Sequence, residues 1–177
     1  VLAGLLSFGL NTASYRFYFS LKDDSEGFRI LNSTNLIFIL CIYLFFGSFI
    51  FLYVDWVSLF LFDGRISGNL LLLSYVSGCL EYFFSYIVLL LTAQNRAIVV
   101  FFIAVSRIII NTILSLYFIF VHSYTYLARI YATIITQIII VLCLLVLIRK
   151  IIGFILSFLS LKKSITFSYS SIPNSLI

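Results

Sequence analysis

The sequence has few charged residues. Only 10% of its positions are Asp, Glu, Lys or Arg, whereas 63% are hydrophobic, and the mean hydropathy is +1.22. Soluble globular domains carry about 25% charged residues and about half apolar ones. The composition therefore excludes an ordinary soluble domain.

The residues that most catalytic and metal sites require are also scarce. His122 is the only histidine, so neither a Ser-His-Asp triad nor a histidine-rich metal site is expected. Cys41, Cys79 and Cys143 lack CxxC spacing, which favours structural thiols within the membrane over a metal or redox role. A glycine-rich phosphate loop is missing as well. The sequence predicts no enzyme activity, no metal and no cofactor.

Methionine is absent, and the sequence opens at Val1 inside an apolar stretch without the charged leader of a signal peptide. We therefore expect the chain to be a fragment of a larger transporter.

Long runs of uncharged residues are the dominant feature of the sequence. Residues 30–54, 108–128 and 130–148 each contain no charged side chain, and about 20 helical residues are enough to cross a bilayer. Only helices and closed barrels satisfy all backbone polar groups in hydrocarbon. Barrel strands alternate apolar and polar residues, whereas 38–46 is apolar on all sides and 134–148 is interrupted only by Thr136 and Gln137. The runs predict an all-α, polytopic transmembrane helix bundle.

The predicted spans are separated by short polar connections. The connections are a polar loop at 22–27, a turn containing Asp63 and Gly64, and a tight hairpin at 94–96. Residues 151–167 are expected to form a cytoplasmic interfacial linker, in which 151–161 lies as a helix along the headgroups. The predicted spans are 1–19, 34–54, 69–92, 97–121 and 128–148, with a further one starting near 168 and Pro173 in its first turn.

The basic residues predict how the bundle is oriented. Cytoplasmic loops of membrane proteins carry the excess of Lys and Arg, which assigns the loops 20–33, 93–96 and 149–167 to the cytoplasm. The net charge of +5 thus follows from topology and needs no nucleic-acid partner. Basic residues on the predicted cytoplasmic side are Arg16, Lys22, Arg29, Arg96, Arg149, Lys150, Lys162 and Lys163, against Arg65 and Arg129 on the other side.

Two ionisable residues fall within predicted spans. An ionised side chain at a helix centre costs at least about 2.5 to 3.5 kcal/mol, so such residues usually face a bundle interior or an aqueous path. Glu81 and Arg107 lie at comparable distances from the 94–96 hairpin, so we expect them to pair or to line one polar cavity. Polar neighbours at helical spacing extend both faces: Ser74, Ser77, Gly78 and Ser85 around Glu81, Asn111 and Ser115 after Arg107, and Thr133, Thr136 and Gln137 in the last span.

Two interpretations of this polar face stay open. One is a structural ion pair with interhelical hydrogen bonds, which small and polar residues often provide between membrane helices. The other is a substrate path.

Four stretches resemble the polysaccharide flippases of the Wzx type, within the multidrug, oligosaccharidyl-lipid and polysaccharide exporter superfamily. Residues 7–19, with Arg16 before a run of aromatics and a charged loop, resemble the family's second helix. Residues 92–97 resemble its short loop between helices four and five. Residues 129–150, which end in an Arg-Lys pair, are similar to its sixth helix, and 165–176 to the element that opens the seventh. The likeness covers nearly the whole chain.

The resemblance implies half of a two-lobed carrier, covering helices two to six of about twelve. The implied function is movement of undecaprenyl-diphosphate-linked oligosaccharides across the bacterial inner membrane for O-antigen or polysaccharide synthesis. The partners would be this lipid-linked oligosaccharide, membrane lipids and a coupling ion. Candidate substrate-path residues are Arg16 at the cytoplasmic mouth, Ser85, Arg107, Asn111 and Gln137 in the cavity, and Glu81 as the partner of Arg107 or an ion-coupling carboxylate.

Other membrane functions suit parts of the same pattern. A hydrophobic subunit of a larger membrane complex would also be rich in Phe, Ile and Tyr, and a drug or cation antiporter of the same superfamily would share the fold. The basic loops and Pro173 favour the two-lobed flippase. A membrane glycan polymerase would be expected to have a large outer loop rich in Arg and His, which this sequence lacks.

Overall fold

The computed structural model describes residues 10–21, 24–64, 66–122, 126–149, 153 and 155–175. These residues form helices joined by short connections, with no strand in the described ranges. In chain order, the helices are α1 Leu10–Ser20, α2 Ser25–Leu52, α3 Val54–Phe62, α4 Gly68–Ala93, α5 Ala97–His122, α6 Tyr126–Ile148 and α7 Phe158–Ser175.

Four helices, α2, α4, α5 and α6, are long and apolar enough to cross a membrane. The shortest, α6, has 23 residues and is about 34 Å long at the standard helical rise, which exceeds a hydrocarbon core of about 30 Å. The predicted fold class is confirmed: the chain is an all-α polytopic bundle of a membrane-embedded protein. The predicted spans 69–92, 97–121 and 128–148 correspond to α4, α5 and α6.

The connections around α2 differ from the expected loops. The loop expected over 20–33 is wrong from residue 25 onward, because α2 begins there. Asp24 caps this helix by accepting a hydrogen bond of 2.9 Å from the Gly27 amide, so α2 starts nine residues before the predicted span at 34. After α2, the short helix α3 was not predicted. The expected turn follows α3, with Asp63 and Gly64 at φ 52° and 71°, a conformation in which glycine carries no steric penalty.

The end of the described chain also differs from the prediction. Gly153 and residues 155–157 lie outside regular structure, and α7 starts at Phe158 rather than near 168. The predicted bounds are therefore wrong: of the described residues in 151–161 only 158–161 are helical, and Pro173 lies in the last turn of α7 rather than in the first turn of a helix that starts near 168. The physical reason is a serine cap, because the Ser160 amide donates to Ser157 Oγ at 3.4 Å. The first predicted span, 1–19, falls partly outside the described residues, which show only α1.

Helix α4 separates two hydrophobic cores. Tyr82, Tyr86 and Leu90, at spacings of four, pack against α1 and α2. Phe84, Ile87 and Leu91 face α5 and α6. Residues on opposite sides of one helix thus bury both halves of the bundle.

A polar segment of α2, formed by Asn32, Ser33, Thr34 and Asn35, is fully buried. Its two asparagines bind α1 and α4. Tyr86 donates to Asn32 Oδ1 at 3.0 Å, Asn35 Nδ2 donates to Ser14 Oγ at 2.9 Å, and the Ser14 and Tyr86 hydroxyls lie 2.8 Å apart. Side-chain hydrogen bonds of this kind are a main source of specific contact between membrane helices.

The other two residues of the 32–35 segment hold the connection between α6 and α7. Ser33 Oγ accepts from the Gly153 amide at 2.7 Å. Thr34 Oγ1 donates to the Ile155 carbonyl at 3.3 Å and accepts from the Ser157 amide at 2.9 Å. One turn of α2 therefore positions three other parts of the bundle: α1, α4 and the 153–157 connection.

Tyr86→Phe is expected to destabilise the protein by about 1 to 2 kcal/mol, because it removes hydrogen bonds to Ser14 and Asn32 at a fully buried side chain. Tyr53→Phe, the same change at a side chain that is 54% exposed, is the matched control and should have little effect. Unfolding by sodium dodecyl sulfate in mixed micelles measures both variants. Equal unfolding midpoints for the two would contradict a stabilising role of this network.

Candidate functional site

The candidate site is built from polar side chains near the middle of three adjacent helices. Glu81 lies midway along α4, Gln137 midway along α6, and Arg107 on α5 beyond the hairpin. Asn95 closes that hairpin at φ 57°, and its tightness makes α4 and α5 antiparallel neighbours with matched depths. The three side chains meet, and we call them the Glu81 cluster.

The predicted pairing of Glu81 and Arg107 is confirmed. Arg107 Nη1 donates to Glu81 Oε1 at 3.0 Å, and Nη2 donates to Oε2. This bidentate geometry matches the planar guanidinium to the carboxylate. The Arg107 guanidinium also lies 4.3 Å from the centre of the Phe84 ring, a cation–π contact that strengthens where water is scarce.

Gln137 completes the cluster from α6. Its Nε2 donates to Glu81 Oε2, and its Oε1 accepts from Ser77 Oγ at 3.4 Å. Gln137 is 1% exposed, so its amide is held in place on both sides. Glu81 therefore accepts hydrogen bonds from α5 and α6 at once.

The charged members of the cluster are not sealed inside the bundle. The side chain of Arg107 is 24% exposed and that of Glu81 is 43% exposed. A closed structural pair would hide both charges from the surroundings. Part of each charged side chain instead lies at the outer surface of the described bundle.

A polar strip continues from the cluster along α5 and α6. Asn111 Nδ2 donates to Thr133 Oγ1 at 3.5 Å, and Ser115 Oγ donates to Asn111 Oδ1 at 3.2 Å. Asn111 and Ser115 also line a shallow groove of about 400 Å³, together with Thr112 and Arg129. The strip thus runs from an ion pair at mid-depth to a second cation near the start of α6.

Two of the predicted residues do not join the cluster. Ser85 is exposed and has no hydrogen bond to any described residue. Arg16 lies at the contact between α1 and α7, where its guanidinium is 4.7 Å from the centre of the Phe167 ring. The structure therefore brings Glu81, Arg107 and Gln137 together, extends the site to Asn111, and leaves Ser85 and Arg16 elsewhere.

Sequence reasoning missed two groups of polar residues. Arg129 was counted only as a basic residue of the outer side, yet it lies on the polar face of α6, where its carbonyl accepts from Thr133 Oγ1 at 2.7 Å. The four-residue spacing of Arg129, Thr133 and Gln137 was a usable signal for one helical face. The buried 32–35 segment was also missed, although four consecutive polar residues inside an apolar run mark a polar contact.

Within the described ranges, no group of three or more His, Cys, Asp or Glu side chains is placed to hold a metal ion. Cys41, Cys79 and Cys143 are free thiols. The side chain of His122 lies outside the described residues, although its backbone ends α5.

No protein-family model, curated protein or solved structure matches the chain. What the site can do chemically therefore follows from its geometry alone.

Glu81→Gln and Arg107→Gln are each expected to destabilise the bundle by about 2 kcal/mol, because each leaves one ionised side chain without its counter-charge. Glu26→Gln and Arg96→Gln are matched controls. They make the same chemical changes at exposed residues, where effects stay within about 0.5 kcal/mol. Detergent unfolding of the four variants measures the difference, and near-wild-type stability of Arg107→Gln would show that the pair is not structural.

Proposed function

We propose that this chain belongs to a membrane transporter that flips undecaprenyl-diphosphate-linked oligosaccharide repeat units across the bacterial inner membrane. The observation that supports this proposal best is the half-open ion pair of Glu81 and Arg107 at one end of a polar strip. The sequence resemblance to polysaccharide flippases points to the same cargo.

The cargo sets physical demands that the strip meets in part. A lipid-linked oligosaccharide combines hydroxyl-rich sugars, an anionic diphosphate and a long apolar tail. Sugars need neutral donors and acceptors, which Asn111 and Ser115 supply, with Gln137 behind them holding Glu81 in place, while the diphosphate needs a cation. Arg107 is proposed for that cation. The strip lies on the outer surface of α5 and α6, which leaves the tail in contact with lipid.

Glu81 is proposed to keep Arg107 charged and oriented until the cargo arrives. Two hydrogen bonds to one carboxylate fix the guanidinium plane. The diphosphate is also anionic, so it would replace the Glu81 carboxylate as the partner of the guanidinium. This exchange avoids exposing an unpaired cation to hydrocarbon at any stage. A coupling ion that binds the released Glu81 carboxylate would complete the exchange.

Transport assays with the full-length protein in lipid vesicles test this proposal. A fluorescent polyprenyl-diphosphate disaccharide is the probe, and a membrane-impermeant quencher reports its movement between leaflets. Wild-type protein should move the probe. Arg107→Gln should reduce the rate by about tenfold or more, the loss expected for one charge-assisted hydrogen bond. Arg96→Gln should leave the rate unchanged.

The charge exchange Glu81→Arg with Arg107→Glu separates cargo binding from structure. It should restore stability but not transport, because the cation then sits on α4. Recovery of both properties would reduce the pair to a structural role and overturn the proposed contact with diphosphate. Movement of organic cations in place of the lipid-linked probe would identify the protein as an antiporter instead.

The proposed orientation places the α4–α5 hairpin in the cytoplasm and α3 outside. In a variant without its native cysteines, Arg96→Cys should react with a membrane-impermeant maleimide only after cell lysis. Asp55→Cys, in α3, should react in intact spheroplasts. Both residues are exposed, so accessibility depends on sidedness alone. The reverse pattern would invert the topology and move Arg129 to the cytoplasmic side.

A further inference from the structure

A second surface, distinct from the Glu81 cluster, lies between α1 and α7. It is a groove of about 660 Å³ that combines lysine and aromatic side chains. Its lining residues are Phe17, Leu159, Lys162, Lys163, Thr166 and Phe167.

The groove is strongly cationic. Lys162 and Lys163 are exposed at its wall, and Arg16 lies beside it, stacked on Phe167. None of these three cations forms an ion pair with a described residue. Their charge is therefore available to an anion from outside the chain.

The helix that forms one wall suits a membrane interface. Leu161 and Ser164 are buried against the bundle, whereas Phe158 and Leu159 are exposed directly beside Lys162 and Lys163. Basic residues next to exposed apolar ones are typical of helices that lie in the headgroup region.

We infer that this groove binds an anionic phospholipid. The phosphate would lie between Arg16 and the two lysines, and the acyl chains would cover Phe158 and Leu159. Basic pockets between membrane helices bind anionic headgroups in this way. A soluble acidic peptide would match the charges but leave the neighbouring apolar side chains uncovered, so the combined surface favours a lipid.

Aromatic contacts already shape the groove without a ligand. The Phe17 and Phe167 rings meet edge to face with centres 5.8 Å apart, which joins α1 to α7. Arg16 is held over Phe167 rather than extended into solvent. A bound phosphate would add a bridge between the cation on α1 and the cations on α7. The lipid is therefore expected to stabilise the docking of α7.

This inference does not depend on the proposed transport, because it requires only that the bundle lies in a bilayer. It is tested by heating the purified protein in detergent with added phosphatidylglycerol or with phosphatidylcholine of the same acyl chains. Phosphatidylglycerol should raise the melting temperature, and phosphatidylcholine should not. The increase should shrink as sodium chloride is added, because salt screens exposed charges.

Lys162→Gln with Lys163→Gln should weaken phosphatidylglycerol binding by about tenfold or more. Arg96→Gln with Arg149→Gln removes the same charge from exposed positions outside the groove and should bind as the wild type does. Equal losses in the two double variants would reduce the effect to overall charge and overturn the site. If the lysine variant does not fold, native mass spectrometry of the wild type decides: selective retention of phosphatidylglycerol supports the site, and retention of neither lipid overturns it.

Two further outcomes assign the groove to another occupant. Stabilisation by a polyprenyl diphosphate but not by phosphatidylglycerol would make it a cargo site. The protein could instead form a dimer without lipid. If the double variant Lys162→Gln, Lys163→Gln were then monomeric, the groove would be a contact between two copies of the chain. Either result replaces the phospholipid.

Discussion

An ionised side chain in hydrocarbon must find its partner within the protein, and Glu81 shows how far that constraint reaches. Its carboxylate accepts hydrogen bonds from Arg107 on α5 and Gln137 on α6. These bonds form only when α4, α5 and α6 are aligned with the three side chains at the same depth. A slip of α5 by one turn, about 5.4 Å, would separate the two charges. The apolar surfaces around them have no comparable preference, since one aliphatic contact is much like the next in lipid. The carboxylate therefore fixes the alignment that packing alone leaves open.

Helix α4 carries this constraint to the rest of the bundle. Its Glu81 side faces α5 and α6, and its Tyr86 side faces α1 and α2, where the tyrosine hydroxyl donates to Asn32 and shares a hydrogen bond with Ser14. The two sides differ in kind. The Tyr86 network is buried and uncharged, as suits a permanent contact, whereas the Glu81 cluster is charged and half open. A single helix thus joins a structural interface to the candidate functional one.

Hydrophobic length and helical spacing were enough to predict the bundle, three of its spans and the Glu81–Arg107 pair. The spans depend on the summed hydrophobicity of many residues, and the ion pair depends on the high free energy of an unpaired charge in hydrocarbon. Helix ends depend instead on a single capping side chain. Asp24 starts α2 and Ser157 starts α7, and neither stands out among the other polar residues nearby. The contacts of the 32–35 segment with Gly153, Ile155 and Ser157 join residues distant in sequence, which no local pattern encodes.

The 32–35 segment has a mechanical consequence for the bundle. Because Ser33 and Thr34 hold the backbone that leads into α7, α7 cannot shift without breaking these bonds or pulling α2 with it. Helices α1, α2, α4 and α7 are therefore linked as one unit. Helix α5 is different: among the described helices it packs on α4 and α6 alone, and most of its apolar side chains are exposed. Among the described helices, α5 therefore reaches this linked unit through α4 and α6, and the bond between Arg107 and Glu81 is one of the contacts that hold it there.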